Sequence, residues 1–339
     1  MERIATQCKA VDDLLDGGLA TGTITQLFGE KALGKSIFSH QAACSSVSGG
    51  HSAIILDTEQ SYSSYLLPYR QTGMNRRFGK ELPAVDLRLE KVPKAAGKRK
   101  GATRGELLTA ISAALDGLGV SYTSSHLGPI ADILCPSFSV EIPTREPSVF
   151  VLQAPQVTDL LNLHGVDASI EVSKGGRTEL RQRQAPTYDS VLHGIVRDTG
   201  AKLLVYDSIS APFKSSFPST QDLPARSAGL AMLLSHAQRL CVEFGIAVLV
   251  VSHVSIDPIK AWNRHPYGGV ILGHEAKFSL ELTKSKARRK GESAEESEEY
   301  GETREERDDS GRAFWVARHP AMQEYSRSGL ASIDEEGFH

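Results

Sequence analysis

Gly29-Glu30-Lys31-Ala32-Leu33-Gly34-Lys35-Ser36 satisfies the pattern GxxxxGK[ST]. The spacing has a chemical reason. A loop that leaves a strand and opens a helix aims successive backbone N–H groups, and the positive helix end, at one phosphate. Gly34 permits close backbone approach, Lys35 supplies a cation to the β- and γ-phosphates, and Ser36 offers a hydroxyl to Mg²⁺. The flanks have the required character. Thr23-Ile-Thr-Gln-Leu-Phe28 alternates and is rich in β-branched residues, so it reads as a strand, and residues 35–47 read as a helix that ends at Gly49-Gly50. Residues Gly29 to Ile37 are therefore expected to bind a nucleoside triphosphate, ATP with Mg²⁺. A fortuitous glycine turn is the competing reading.

Outward from the loop, residues 52–57, 148–152 and 202–206 are short apolar runs suited to strands covered on both faces. A helix at 225–244 leads to the most apolar run, 246–252. Strands alternating with helices imply an α/β fold with a mainly parallel twisted sheet flanked by helices. Residues 277–284, 312–318 and 329–333 change character and read as antiparallel strands at the C-terminal end. Asp207 ends the run Leu203-Leu-Val-Tyr-Asp207, at the edge where α/β sheets bind ligands. It reads either as the second metal-holding group beside Ser36 or as a simple strand cap; the phosphate loop favours the metal. Glu59, just past the second strand, lies on the same edge and reads as the base that positions water, or as an exposed loop acid.

At 339 residues the chain can be one α/β core with insertions, and 40% hydrophobic with 23% charged residues is ordinary for a globular protein. A net charge of −3 leaves nucleic-acid contact to local patches. Cys8, Cys44, Cys135 and Cys241 form no CxxC pair, so they read as buried hydrophobes in a reducing compartment. With no signal-peptide core and no apolar run of membrane length, the expectation is a cytoplasmic protein without membrane contact. Three segments interrupt the core. Residues 78–147 carry a basic run (Lys94 to Arg104) and are read as a small helical subdomain around 105–118 and 127–134; 163–186 form a polar insertion. Residues 285–311 are so densely charged that a disordered hairpin tip is expected.

Several segments, in order, resemble the RecA superfamily, specifically the archaeal RadA/RadB recombinase branch. They are Cys8 to Gly18 with Gly22-Thr-Ile-Thr-Gln26, Asp57-Thr-Glu59, and Asp207-Ser-Ile-Ser with Phe213-Lys214, Phe217-Pro218 and Arg226. Gly268 to His274 and His319-Pro-Ala-Met-Gln-Glu324 continue the series. RadA carries a small helical domain ahead of its core, for which the 28 residues before Gly29 are too few, so RadB is the nearer likeness. The resemblance implies a single RecA-like P-loop ATPase domain in recombination and repair, with Lys35 and Glu59 catalytic and a weak DNA-stimulated ATPase. It implies action beside the main RadA-type recombinase. His253 stands where the branch often has a glutamine linking the γ-phosphate to the DNA loop, and an imidazole can still donate there. Ala32 and Leu33 replace smaller residues, which puts loop flexibility in question. Tyr62 and Tyr65 stand where the branch has arginines, with contact to adenine left open.

Single-stranded DNA, with duplex DNA as a further expectation, needs cations for phosphates and flat side chains for bases. Lys260, Trp262 and Arg264 offer both, and Lys214 and Arg226 flank the first DNA loop of the resemblance. Trp262 either stacks on a base or packs against the insertion or a partner. Two further readings stand beside the ATPase: a nucleotide-controlled regulatory module with negligible turnover, and a KaiC-like signalling ATPase that needs no DNA.

Overall fold

A computed structural model of the chain describes residues 2–87, 90–91, 138–139, 142, 144, 146–173, 176–182, 190–256, 264–285 and 311–339. The proposed helices at 105–118 and 127–134, the basic run 94–104 and most of 285–311 lie outside the described residues.

The chain opens with β1 (Arg3–Ile4), α1 (Lys9–Leu14) and β2 (Leu19–Ala20), with β1 and β2 paired antiparallel. Then come β3 (Ile24–Gly29), α2 (Lys35–Ser48), β4 (Ala53–Asp57), α3 (Leu66–Phe78), β5 (Ala84–Leu87), β6 (Glu90–Lys91) and β7 (Phe138–Ser139). The middle of the chain forms β8 (Val149–Gln153), α4 (Val157–Leu163), β9 (Ala168–Val172), β10 (Thr178–Gln182), α5 (Val191–Thr199), β11 (Leu203–Asp207) and α6 (Ser210–Ser216). The long helix α7 (Leu223–Phe244) has its proline at the first turn, where no N–H is needed, and ends on left-handed Gly245. It leads to β12 (Ala247–Ile256), β13 (Arg264–Pro266), α8 (Gly269–Glu275), β14 (Ala276–Lys284), β15 (Gly311–Arg318), β16 (Ser328–Asp334) and β17 (Gly337–Phe338).

One large sheet runs β17-β16-β15-β14-β3-β12-β11-β4-β8-β5, with β13 paired to β12. From β14 to β5 every neighbour is parallel; β14 to β17 are antiparallel. This is the expected fold class. The parallel strands are apolar on both faces because both are covered. Ile55 and Val205 face the core shared with α2, whereas Ile54, Leu204 and Tyr206 face the core shared with α4, α5 and α7. Within the polar insertion 163–186, the described residues include two strands. β9 and β10 pair as a hairpin, which Asp222 anchors by accepting the Thr178 N–H at 2.7 Å. Cys8, Cys44 and Cys241 are buried, which pushes their thiols up to about 11, 12 and 12, so they are inert packing groups.

The C-terminal strands dock on α2 through an aromatic cluster. Phe38 lies 5.6 Å from Phe314 and 6.0 Å from Phe338, and those two are 5.2 Å apart, ring centre to ring centre. Phe38 follows the phosphate loop by two residues, so this cluster fixes the helix that the loop opens. Phe38→Ala is expected to lower unfolding free energy by about 3–5 kcal/mol, as large-to-small aromatic truncations in cores do. Urea denaturation measures it, and a change near zero would show that the C-terminal strands do not hold α2.

Candidate active site

The parallel register gathers the site. Gly29 of β3 lies opposite His253 of β12, and Asp207 of β11 lies opposite Asp57 of β4. With β12 paired to β11, these residues line the carboxyl edge of four adjacent strands. Ligands bind at that edge in open α/β sheets.

The phosphate loop is shaped by Ala32 and Gly34, both with left-handed backbone (φ 61° and 101°). α2 opens on Gly34 without a side-chain cap, which leaves its first N–H groups to a ligand. Lys35 folds back, its Nζ donating to the Gly29 carbonyl at 3.0 Å and the Glu30 carbonyl at 2.5 Å. Burial lowers its pKa, while the charges of Asp207 and Glu59 oppose that. Leu33, read from sequence as a departure that bears on flexibility, is a buried anchor: it joins the core, and Arg312 Nε donates to its carbonyl at 3.1 Å. A Cβ at Gly34 would collide with Ile333. The C-terminal strands thus support the loop from behind.

Asp207 is buried, which pushes its carboxyl up to about 6; hydrogen bonds from Ser36 and Tyr62 oppose the rise. The Tyr62 hydroxyl lies 2.9 Å from Asp207 Oδ2 and 2.7 Å from the Ser36 carbonyl, and burial keeps the phenol a neutral donor by pushing its pKa well above the ordinary range. Tyr62 is fully buried, so it cannot be a surface for adenine; Tyr65 is 84% exposed. Asp57 shapes the loop between them. Its carboxylate accepts the N–H groups of Glu59 (3.2 Å), Ser61 (3.0 Å) and Tyr62 (2.9 Å), and an amide hydrogen of Gln153 (2.9 Å). Thr58 ties this loop to β11, donating to the Ser208 carbonyl at 2.7 Å and accepting the Ser208 N–H at 2.9 Å; the Asp207–Ser208 peptide is cis.

Glu59 Oε1 accepts from the Ser208 hydroxyl and lies 2.9 Å from His253 Nε2. The His253 bond, against the opposing effect of burial and with help from Ser208, holds the carboxyl down to about 2. His253 Nδ1 is buried without a hydrogen-bond partner among the described residues. In this arrangement His253 contacts the candidate base.

Lys214 and Arg226 come together. Their cationic groups lie 5.0 Å and 5.1 Å from the ring centre of buried Tyr267. Tyr267 in turn donates its N–H to the His253 carbonyl at 2.8 Å. Lys260 and Trp262 lie outside the described residues; Arg264 sits in β13 opposite Ile256, and its side chain is likewise undescribed. Sequence reasoning missed Ser208, Arg312 and the anchoring role of Asp57. Only Asp57 left a signal, as an acid two residues before Glu59.

The donor set fits MgATP. One buried carboxylate and one hydroxyl, with no all-protein cage of three acidic, histidine or cysteine groups among the described residues, suits a metal completed by phosphates and water. Ser36 and Asp207 would hold it, and Lys35 with the loop N–H groups would take the phosphates. No described helix is long and apolar enough to cross a membrane.

Comparison with known proteins follows the same lines. The Rad51 family matches residues 1–90 and 190–304, more than half of the chain. DNA repair protein RAD51 of Saccharomyces cerevisiae is 24% identical over 84% of this chain and 51% of its own length. The human meiotic recombination protein DMC1/LIM15 homolog is 30% identical over 35% of this chain and 37% of its own. DNA repair and recombination protein RadB of Methanococcoides burtonii is 43% identical over 17% of this chain and 26% of its own. The chain thus spans about half the length of the yeast relative, and its matches to the others are shorter.

The Glu59 pairing has a pH signature. Its carboxyl falls from an ordinary 4.5 to about 2, so the bond stabilises the fold above pH 4.5 and that contribution fades as pH falls toward 2. Glu59→Gln is expected to melt below the unsubstituted protein at pH 7, with the gap narrowing steadily below pH 4.5. A gap of constant size from pH 7 to pH 3 contradicts the assignment.

Proposed function

The chain belongs to the Rad51 family, and on that premise we propose that it binds MgATP and DNA as a recombination and repair protein. In this reading it turns ATP over weakly, with stimulation by single-stranded DNA, and acts beside a RadA-type recombinase, as a RadB-like protein. The observation that carries the reading is the convergence of Gly29, Asp207, Glu59 and His253 on one edge of adjacent parallel strands. Ser36 and Asp207 hold Mg²⁺, Lys35 neutralises the phosphates, and Glu59 orients the attacking water. Bound MgATP supplies the phosphoanhydride that is cleaved.

The DNA half of the proposal rests on Lys214 and Arg226, with Lys260, Trp262 and Arg264 of the stretch 255–267 completing the contact. The chain Lys214/Arg226–Tyr267–His253–Glu59 supports coupling between that surface and hydrolysis. A phosphate that draws the two cations from Tyr267 alters the support of the His253 backbone.

A second reading, a nucleotide-controlled regulatory module with negligible turnover, is favoured by Glu59 already being engaged by His253 and Ser208. Both contacts fall on Oε1, so Glu59 would orient water through Oε2 unless it leaves one of them. Both readings make the site a switch more than a motor.

Titration with single-stranded DNA, with and without ATP, following binding and hydrolysis together, tests the proposal. DNA-stimulated turnover that falls about a hundredfold in Glu59→Gln, with nucleotide binding retained, is the expected result. Turnover below detection with intact ATP-dependent DNA binding selects the regulatory module. Replacing Lys214 and Arg226 by alanine should weaken DNA binding and flatten its salt dependence, by roughly 0.7 in log–log slope for each DNA phosphate that is no longer neutralised. No binding even at low salt removes DNA from the function.

A further inference from the structure

Tyr62 carries one more group than its packing requires. Its ring is clamped on all sides: the Arg70 guanidinium lies 5.0 Å from the ring centre and the His40 ring 5.6 Å away, nearly edge-on. His40 is itself held by Gln71 of α3, Nε2 to Oε1 at 3.0 Å, and the Tyr62 N–H is fixed by Asp57. A phenylalanine would fill this volume equally well. The hydroxyl is what distinguishes tyrosine here, and it has no access to solvent. It points between two acceptors, Asp207 Oδ2 at 2.9 Å and the Ser36 carbonyl at 2.7 Å. These belong to the two residues that would hold the metal.

Resting on the reading of Asp207 and Ser36 as the metal-holding pair, we infer that Tyr62 is a positioning residue that sets the Mg²⁺ requirement of nucleotide binding. A buried carboxylate without a donor on Oδ2 is free to turn toward the Lys35 ammonium, whose charge already acts on it. The phenol blocks that turn by occupying one acceptor direction and leaving the others for the metal and the Ser36 hydroxyl. A single O–H faces two acceptors, so it donates fully to only one at a time. With Asp207 engaged by a metal, the Tyr62 hydroxyl would donate to the Ser36 carbonyl in the first turn of α2. Tyr62 thereby ties the metal carboxylate to the helix that opens at the phosphate loop.

The test measures binding of a fluorescent N-methylanthraniloyl ATP to the full chain across a Mg²⁺ titration. Tyr62→Phe is expected to raise the half-saturating Mg²⁺ concentration roughly fivefold, the equivalent of one ordinary hydrogen bond. Affinity at saturating Mg²⁺, and affinity in EDTA, should stay the same. A drop in affinity that is equal at every Mg²⁺ concentration, or a lowered melting temperature with an unchanged Mg²⁺ profile, reduces Tyr62 to packing and overturns the inference. Asp207→Asn separates the metal site from the role of Tyr62. If it leaves the Mg²⁺ dependence intact, the metal-site reading fails. If it abolishes that dependence while Tyr62→Phe does nothing, only the Tyr62 inference fails. Should Tyr62→Phe not fold, the ¹³Cζ resonance of Tyr62 in the unsubstituted protein gives the same information. It should move when Mg²⁺ joins the nucleotide complex and hold still when nucleotide binds in EDTA; equal movement in both overturns the inference.

Discussion

Hydrogen-bonded register between β3, β12, β11 and β4 is the constraint on which the site depends. A slip of one residue in any of these parallel pairs would turn the alternating apolar side chains to the wrong core and shift the end residues by about 3.3 Å. Gly29, His253, Asp207 and Asp57 would then no longer share an edge. Two packed cores, one on each face, make such a slip costly, because Leu204 and Val205, or Ala53 and Ile54, differ in size and cannot exchange faces without voids or overpacking. The positional accuracy of the site comes from the burial of strands that carry no chemistry themselves.

A second layer of support comes from the antiparallel strands at the chain's end. β15 to β17 reach back to the phosphate loop. Arg312 holds the Leu33 carbonyl, Ile333 packs against Gly34, and Phe314 and Phe338 hold Phe38. This explains how Leu33, a large apolar side chain, sits in a loop proposed to present its backbone to a phosphate. Its side chain leaves the ligand side and enters the core. These contacts brace the loop at Leu33 and Gly34, which suits presentation of N–H groups in a fixed array. It also joins the first and last parts of the chain in one site.

Much was legible in the chain itself. The strands around Asp57 and Asp207 were visible as apolar runs because a strand buried on both faces needs apolar residues at every position. Boundaries shifted by a few residues: β3 includes Gly29, and β12 continues beyond 252 to Ile256. The hairpin β9–β10 was not legible, since Ser169, Glu171, Glu179 and Arg181 give it a polar face, and it docks through its other face and through Asp222. Lys214 and Arg226 were identified singly, as cations near a loop. Their meeting over Tyr267 depends on α6, α7 and the turn between β13 and α8 converging.

The proposed phosphate chemistry was legible in the sequence alone, because all its parts lie within eight contiguous residues, Gly29 to Ser36, between a strand and a helix. What the tertiary structure decided is how those parts are held and restrained. The hydroxyl of Tyr62 meets Asp207 across 145 positions, His253 meets Glu59 across 194, and Arg312 meets Leu33 across 279. Contacts at such separations follow from strand order and register, which no local pattern encodes. The sequence carried the proposed ligand chemistry; the packing of the sheet chose which donors stand beside it.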